Sequence, residues 1–559
     1  MAQLKQDVTS AFVAAVQAIE DQADECYKAL HLLRMPRNVA TWALLAGTIA
    51  ETEQELTKWG PDSAYFQAAL MNLGRTCAVL IRWVAQHGRP ASRLIQNYRW
   101  TQTLNADVMR ARDVALQYSA FQNCFPMWHR GRLLAEFRTP TVIRFTVPGG
   151  ARERQVSAYH KGFRPSQGKF QGIRDKRIQL DSAKPLFLEV AQKARSTGLH
   201  KFAYTPTSEL VRALKPEYRQ RVAAILRRAD SLDLGGYSMA EFKEFYTALL
   251  IVAAIHEHLC YVWTQLKQPF PLSSAVMVRH RPAWTDLLAN VSALPRNQCD
   301  QMLADLTLDP ARAIDLHVHP FVPLDRTAVS LALVPQFPLN SRWDENILRT
   351  CSYRRPEVHA IASNEKEAEM RAALAAATTK YRIVGPVNLP PPYPDIDILI
   401  EDTKSSTVVI AELKWIRKPL KPLERIDRDQ EVRHGIEQVE KVKQFLRAQP
   451  NFLTKQARLT LPVPDYEHVH YLLIARDHWF WQDPQDQLAI ADFDPFRRLL
   501  EEADDLHAAV AALLVYDWLP VEETDFRVQF DRAVANGVAI ESEVFYPVSS
   551  AGFIVDTHR

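Results

Sequence analysis

Two apolar runs in the last third of the chain have the length and composition of neighbouring β-strands. The first lies in the stretch 394–400 and ends in the apolar residues 398–400, the second spans residues 408–415, and both are rich in Ile, Leu and Val. Such runs, bounded by polar segments, are typical of strands. The polar residues 401–406 between them have the length of a hairpin connector. The pattern therefore predicts a strand, a short turn and a second strand.

Charged residues lie within or beside these two apolar runs. Asp397 stands at the head of the first strand, and Glu412 and Lys414 lie inside the second. Residues two apart on a strand point to the same face, so Glu412 and Lys414 share a face and Leu413 points away. Burying charge is costly unless it is paired or metal-bound, and such conflicts tend to fall at functional sites. The sequence predicts a divalent-metal and water site here.

A helix is expected before the strand pair, from Asn364 to about residue 380. Met370 and Leu374 fall at helical spacing and mark its buried face, which also carries Glu367. If this helix packs on the sheet, Glu367 reaches the site. The alternative is N-capping, because Asn364 and Glu367 have the spacing of a capping box.

The elements that follow the strand pair are also predicted from their patterns. A helix is expected from about Arg433 to Arg447, and it carries Gln438. Strands are expected at residues 381–384, before the pair, and at residues 469–474, after the second helix.

This combination of motif and flanking elements resembles the PD-(D/E)XK nuclease superfamily over residues 360–480. The resemblance implies an α/β domain, with a restriction-endonuclease-like mixed sheet flanked by helices. It also implies Mg²⁺ (or Mn²⁺) as cofactor, with two carboxylates as metal ligands and a lysine that orients water. The implied catalytic residues are Asp397, Glu412, Lys414, Glu367 and Gln438, of which Asp397 and Glu412 are the metal ligands. For Gln438 the alternative is an ordinary solvated helix residue.

Asp395 is the rival for the first ligand, because it forms the literal Pro-Asp pair of the motif. We favour Asp397, which an apolar strand follows directly. The spacing to Glu412 is 15 residues from Asp397 and 17 from Asp395, and both fit a hairpin.

Basic residues follow the second strand and are candidates for phosphate contacts. These candidates are Arg417, Lys418, Lys421 and Arg433. Acidic residues are interleaved with them, so a salt-bridged, solvated loop is the alternative. The chain has 68 basic and 65 acidic residues, a net charge of +3, so a local groove would have to bind the nucleic acid.

The rest of the chain is expected to form a large, mainly α-helical amino-terminal region with a small β insertion. The predicted domains are a helical region at 1–135, a helix-rich accessory region at 136–340 and the nuclease-like domain at 341–559. The β insertion is a hairpin near 139–172, with strands at 142–147 and 155–159. A long apolar helix is expected over residues 238–263.

Composition narrows the class of protein further. The six cysteines are scattered, which excludes a Cys-x-x-Cys zinc ribbon and gives no sign of a disulfide framework. The amino terminus lacks the form of a signal peptide, and the longest apolar run, 247–255, is too short to span a bilayer. We expect a cytoplasmic protein that does not bind membranes.

A second constellation, Asp315-Leu-His-Val-His319, has the Asp-x-His-x-His form seen in amidohydrolases. On a strand, His317 and His319 would share a face and could bind Zn²⁺. The later His and Asp elements of a barrel site are not recognisable, so we interpret this motif as a chance match and keep a metal hydrolase as the third alternative.

The expected function is a metal-dependent endonuclease, with DNA favoured over RNA as the nucleic-acid partner. A large accessory region fused to such a nuclease is similar, by analogy, to restriction or anti-phage defence effectors. The helical amino-terminal region is expected to bind a partner protein or a second copy of the chain. The main alternative is a nucleic-acid-binding or scaffold protein with an inactive nuclease fold, although the intact Asp, Glu and Lys argue against it.

Overall fold

A computed structural model describes most of the chain, and all structural statements concern the residues that it describes. These are residues 2–60, 64–91, 100–160, 183–196, 202–226, 228–265, 275–311, 315–325, 329–340, 347–351, 355–416, 422–476, 489–516 and 518–548. The protein is of the mixed α/β class, with helices in the majority and several sheets. The predicted combination of a helical amino-terminal part and a sheet-containing carboxyl-terminal part is thereby confirmed at the level of class.

The helices carry most of the chain. In chain order they are α1 (Ala2–Asp24), α2 (Arg37–Trp59), α3 (Ala64–His87), α4 (Gln102–His129), α5 (Ala151–His160), α6 (Lys184–Lys193), α7 (Ser208–Ile225), α8 (Met239–Gln265), α9 (Arg281–Ser292), α10 (Arg296–Asp305), α11 (Gln336–Asn340), α12 (Pro356–Ala377), α13 (Pro422–Ala448), α14 (Phe452–Gln456), α15 (Phe493–Glu502) and α16 (Leu506–Val515). Short 3-10 helices lie at Glu25–Ala29, His31–Arg34 and Val463–Asp465.

The strands are shorter and cluster in the second half of the chain. They are β1 (Leu134–Thr139), β2 (Val142–Thr146), β3 (Arg195–Ser196), β4 (Phe202–Ala203), β5 (Met277–His280), β6 (Phe321–Pro323), β7 (Ser330–Leu333), β8 (Arg382–Val384), β9 (Ile398–Asp402), β10 (Thr407–Trp415), β11 (His468–Arg476), β12 (Ala489–Asp492), β13 (Phe526–Ala535) and β14 (Val538–Pro547).

The chain forms two compact units, and each is built from separate segments. The first unit comprises Met1–Ala120, Gln171–His359 and Val534–Val538. The second comprises Phe121–Phe170, Ala360–Ala533 and Ala539–Arg559. The predicted nuclease-like region therefore falls mostly in the second unit. The division into three consecutive domains stays a prediction.

The first unit is mainly helical, with two small sheets, β3-β4 and β5-β7-β6, and α8 contributes to its buried core. Leu249, Leu250 and Ile251 of this helix are fully buried. The long apolar helix predicted over 238–263 is confirmed. Among the described helices, its segment Met239–Val262 is long and apolar enough to cross a membrane, but 78% of the apolar window is buried inside the protein. That degree of burial is typical of a core helix.

A five-stranded mixed sheet organises the second unit, in the order β12-β11-β10-β9-β8. Strand β9 is antiparallel to both of its neighbours, β8 and β10, while β11 is parallel to both of its neighbours, β10 and β12. Parallel neighbours need a crossover connection, and α13 supplies it between β10 and β11. The strands predicted at 381–384, 398–400, 408–415 and 469–474 are confirmed as β8 to β11.

Both helices predicted beside this sheet exist, but each begins earlier than expected. Helix α12 starts at Pro356, so Asn364 lies inside the helix and the predicted capping box is wrong. Pro at the first helical position is well tolerated and gives the earlier start. Helix α13 starts at Pro422, eleven residues before the predicted Arg433. Met370 and Leu374 are buried as predicted.

The predicted β insertion is only partly correct. Strand β2 forms where expected, but Ala151–His160 is the helix α5, so the predicted strand at 155–159 is wrong. Its Ala, Arg, Glu and Gln residues favour a helix. Strand β2 pairs instead with β1 on one side and with β14 on the other. The part of the predicted insertion from 161 to 172 lies outside the described residues.

Candidate active site

The candidate site forms where strands β9 and β10 separate. Their antiparallel pairing ends at Ala411, opposite Ile398. Beyond this pair, the Leu413 amide has no partner on β9, and it donates a 2.8 Å hydrogen bond to Oδ2 of Asp397. The end of the strand pairing thus brings Asp397 to the part of β10 that carries Glu412 and Lys414.

The Leu413 carbonyl faces the same open side. In a strand, the N–H and C=O groups of one residue point to the same neighbouring strand. Because the Leu413 amide points toward Asp397, its carbonyl oxygen lies on that side too. It is a candidate third oxygen beside the two carboxylates.

Glu412 and Lys414 form a direct ion pair on the sheet face that α13 covers. Lys414 Nζ donates to Glu412 Oε1 over 2.6 Å, and the side chains are only 21% and 6% exposed. Helix α13 approaches closely at Gly435. A Cβ atom there would lie 2.8 Å from Leu473 Cδ1 and 3.3 Å from Lys414 Cγ. The absence of a side chain at this position leaves room for the lysine.

Glu367 reaches the site from α12, as the sequence analysis expected. Its Oε1 accepts hydrogen bonds from the Trp415 amide at 3.2 Å and from Ser363 Oγ at 3.2 Å. Glu367 lies well inside the helix and does not cap its amino terminus. Three carboxylates, those of Glu367, Asp397 and Glu412, therefore gather around Lys414.

The pKa values in this cluster are perturbed in the way that crowded, buried carboxylates produce. Burial, followed by the charge of Asp397, raises the pKa of Glu412 to about 8. Burial also raises the pKa of Glu367, against the opposing effect of Lys414. For Lys414, burial lowers the pKa, but Glu412 and the other carboxylates outweigh it and raise the pKa above its ordinary value. Lys414 therefore holds its proton, and the crowding of the carboxylates disfavours ionisation of Glu412.

The rival first ligand, Asp395, lies elsewhere. It is exposed, and its Oδ1 accepts a hydrogen bond from the Leu389 amide within the proline-rich approach to β9. Its hydrogen bond stabilises that turn. The carboxylate that reaches β10 is that of Asp397.

Gln438 lies on the α13 face that approaches the sheet, three residues after Gly435. Residues three apart on a helix are neighbours on its surface. The Gln438 Oε1 atom is buried and has no hydrogen-bond partner among the described residues. Buried acceptors normally have a donor, so a water or ligand donor is the expected partner.

The basic residues predicted to contact phosphate are mostly untested by the structure. Arg417, Lys418 and Lys421 lie outside the described residues. Arg433 is exposed on α13, two residues before Gly435. Arg433 is thus accessible, close in sequence to the helix position that contacts Lys414.

Arg371 is a residue of the site that was not predicted from the sequence. It lies on α12, one turn after Glu367, and its Nε donates a 2.8 Å hydrogen bond to the Asp397 carbonyl oxygen. Its Nη2 atom lies 3.7 Å from Asp397 Oδ1. The available signal was its spacing of four residues from Glu367, which places both on one helix face.

The donor set is small for a metal centre. Within the described residues, no group of three or more His, Cys, Asp or Glu side chains is placed to hold a metal ion. Mg²⁺ is usually bound through one or two carboxylates, with waters and substrate oxygens completing its shell. Asp397, Glu412 and the Leu413 carbonyl fit that kind of set, and a bound cation would favour the ionised form of Glu412.

The second constellation does not have the arrangement that the metal-hydrolase alternative requires. Residues 315–319 form a turn, so His317 and His319 do not share the face of a strand. The Asp315 carbonyl accepts from the amides of Val318 and His319, which closes the turn. Asp315 Oδ1 lies 2.9 Å from Nδ1 of His317, and both side chains are buried. This local contact stabilises the turn.

Comparison of the chain with protein-family models, with curated proteins and with solved structures found no match.

Proposed function

We propose that this protein is a metal-dependent endonuclease that hydrolyses phosphodiester bonds in nucleic acid, with DNA favoured over RNA. The observation that carries the proposal is the cluster at the separation of β9 and β10. Asp397, Glu412 and Lys414 come together there with Glu367 from a neighbouring helix. Clustered ionisable groups with perturbed pKa values are characteristic of catalytic sites.

The order of elements supports a finer proposal about the fold. A Glu-bearing helix, α12, precedes the motif strands β9 and β10, and α13 and β11 follow them. The sheet is mixed, and α13 connects its parallel strands. The same order is expected of a restriction-endonuclease-like domain of the PD-(D/E)XK type, and we propose that the second unit contains one.

Asp397 and Glu412 are the proposed ligands for Mg²⁺ or Mn²⁺, with the Leu413 carbonyl as a further oxygen. When bound, such a cation would lower the pKa of a coordinated water and polarise the phosphate. The hydrogen bond from the Leu413 amide fixes the Asp397 carboxylate in orientation. Glu367 holds the end of β10 through the Trp415 amide.

Lys414 is proposed to act as a cation. Because the surrounding carboxylates raise its pKa, it keeps its proton at neutral pH. A protonated lysine can orient the attacking water and offset negative charge that develops on the phosphate. Gln438, whose buried Oε1 has no hydrogen-bond partner in the described part of the chain, is a candidate acceptor for a proton of that water.

The proposed biological setting follows from the architecture alone. A nuclease-like unit combined with a large helical unit is similar to restriction or anti-phage effectors, by analogy. In that setting the helical unit would bind a partner protein, a second copy of the chain or a signal.

The proposal is tested by incubating the full-length protein with plasmid, linear DNA, single-stranded DNA and RNA. Each is examined with Mg²⁺, with Mn²⁺ and with chelator. Asp397→Asn should abolish cleavage, whereas the matched Asp395→Asn should leave it intact, because Asn retains an acceptor for the Leu389 amide. Failure of the folded wild type to cleave any of these substrates with either metal would contradict the proposal.

A further inference from the structure

Asp397 lies just outside the regular part of its strand. Strand β9 begins at Ile398, which forms the last pair with β10. The Asp397 main chain is therefore not fixed by the β9–β10 pairing. Its position depends on other contacts, and a displaced Asp397 would not keep its carboxylate beside Glu412.

Arg371 contacts Asp397 at two points. Its Nε donates to the Asp397 carbonyl oxygen over 2.8 Å, and its Nη2 lies 3.7 Å from Oδ1 of the same residue. The guanidinium is largely covered, with 23% of the side chain exposed. One side chain therefore restrains both the main chain and the carboxylate of Asp397.

Gly385 restricts the same peptide from another side. A Cβ atom at Gly385 would lie 2.3 Å from the Asp397 carbonyl oxygen and 3.1 Å from Ile398 Cα. The chain just after β8 thus packs directly against the peptide that Arg371 holds. Arg371 and Gly385 together leave the Asp397 peptide little freedom to move.

We propose that Arg371 is a positioning residue, which holds the Asp397 carboxylate where it can bind a divalent metal ion. This inference rests on the proposed function, in which Asp397 is a metal ligand. Groups that orient metal ligands from outside the coordination shell typically change metal affinity or activity by about 10- to 100-fold when removed. Arg371 acts through Asp397 and needs no contact with substrate.

The chemistry of the arginine side chain predicts that Lys and Met substitutions of Arg371 differ in their effect. Its planar fork donates to two acceptors at once, whereas lysine offers a compact charge on a flexible stem. Arg371→Lys can therefore replace one of the two contacts, and Arg371→Met replaces neither. Arg497, on α15, is a matched control because it forms only an exposed pair with Glu501 among its described contacts.

The experiment measures Mn²⁺ binding to the full-length protein by isothermal titration calorimetry, without nucleic acid. Arg371→Met should weaken Mn²⁺ binding by about 10- to 100-fold. Arg371→Lys should give an intermediate loss, and Arg497→Gln should match the wild type. Thermal unfolding of each variant is measured alongside. If Arg371→Met does not fold, the Mn²⁺ affinity of folded Arg371→Lys tests the inference.

Mn²⁺ affinity equal to the wild type in a folded Arg371→Met variant would overturn the inference. A higher KM for nucleic acid with unchanged Mn²⁺ affinity would also overturn it, since Arg371 would then contact phosphate. Absence of saturable Mn²⁺ binding by the wild type would overturn it together with the metal site.

Cleavage by the same proteins separates the inference from the proposed function. If the wild type binds Mn²⁺, requires Arg371 to do so and cleaves no nucleic acid, the positioning role stands and the nuclease proposal fails. If the wild type cleaves nucleic acid and the Arg371 variants need the same Mn²⁺ concentration for cleavage, the nuclease proposal stands and the positioning role fails.

Discussion

At the scale of single residues, the site crowds three carboxyl groups around one lysine, and this crowding disfavours the ionisation of Glu412. Glu367, Asp397 and Glu412 lie around Lys414, with Arg371 beside Asp397. Such a cluster costs stability in the absence of a bound cation, because like charges repel and burial weakens their solvation. Functional sites often retain arrangements of this kind at the expense of folding.

Glu412→Gln should therefore abolish cleavage and stabilise the metal-free protein. Gln keeps an acceptor for Lys414 Nζ and removes a carboxyl whose pKa the folded site raises to about 8, which destabilises the folded protein at pH 7 relative to the unfolded chain. We expect a gain of roughly 0.5–2 kcal/mol in the free energy of unfolding at pH 7, measured by urea denaturation in chelator. Glu437→Gln, at an exposed position on α13, should change neither property. A destabilised Glu412→Gln variant would show that the charge is well compensated.

Glu367 has a structural contact as well as a proposed place in the site, and two substitutions separate these roles. Glu367→Gln keeps an acceptor for the Trp415 amide and should retain the wild-type stability. Glu367→Ala removes this acceptor from the Trp415 amide and should cost about 1–3 kcal/mol. Both variants should lose cleavage. Full cleavage by Glu367→Gln would reduce Glu367 to a structural acceptor.

At the scale of elements, the strand pattern was predictable and the helix starts were not. The periodicity of residues 396–415 defined β9 and β10, because an alternating or apolar strand is a local signal. The separation of the two strands after Ala411 could not be predicted from the sequence. It accompanies contacts of Asp397 with Arg371 on α12 and with Gly385, just after β8. Asn364 looked like a cap because its spacing to Glu367 was right, but Pro356 starts the helix.

A histidine cluster joins β11 and α16, and it predicts a pH effect on stability. It comprises His468, His470 and His507, and the rings of His468 and His507 stack at a centroid distance of 3.7 Å. The His470 ring lies 6.0 Å from that of His507. Burial, then the charges of His507 and His468, lower the pKa of His470. The folded protein therefore favours neutral His470.

The sign of the effect follows from proton binding. Below the unfolded pKa of about 6.5, the unfolded chain binds more protons at His470 than the folded protein does. The stability is therefore fully present above about pH 6.5 and is lost as the pH falls toward the lower folded pKa. Between pH 7.5 and 5.5, His470→Gln should lose less free energy of unfolding than the wild type. The exposed His434→Gln should behave as the wild type, and an equal loss in His470→Gln would contradict the account.

At the scale of the whole molecule, the near-neutral charge restricts how nucleic acid can bind. A net charge of +3 over 559 residues does not favour coating by nucleic acid, so binding requires local basic residues. For duplex DNA, the logarithm of the binding constant falls linearly with the logarithm of the salt concentration, and each phosphate contact adds about 0.9 to the steepness of that fall.

Arg433→Gln should lower that salt slope by about one, measured by anisotropy with labelled duplex DNA in chelator. Arg433 is exposed on α13 and is the predicted phosphate contact that the structure describes. The exposed Arg497→Gln serves as the charge-matched control and should leave the slope unchanged. An unchanged slope in Arg433→Gln would place the nucleic-acid contacts elsewhere.

Some residues of the site could be predicted from the sequence and others could not. The site residues Asp397, Glu412 and Lys414 were identifiable because charge inside an apolar strand is unusual. Arg371 was not, because a basic residue on a helix is ordinary until its contact with Asp397 is known. The composition of each unit from separate segments could not be read from the chain, because contacts between distant segments define it.

The measurement that tests the central claim most directly is the rate of substrate cleavage by the wild type, Lys414→Ala and Lys404→Ala. Both substitutions remove a lysine from the same strand–turn–strand unit, but Lys404 is exposed in the turn and Lys414 lies in the cluster. The account predicts metal-dependent cleavage by the wild type and Lys404→Ala, and none by Lys414→Ala. Equal rates for all three proteins would contradict it, since cleavage would then occur without the proposed site.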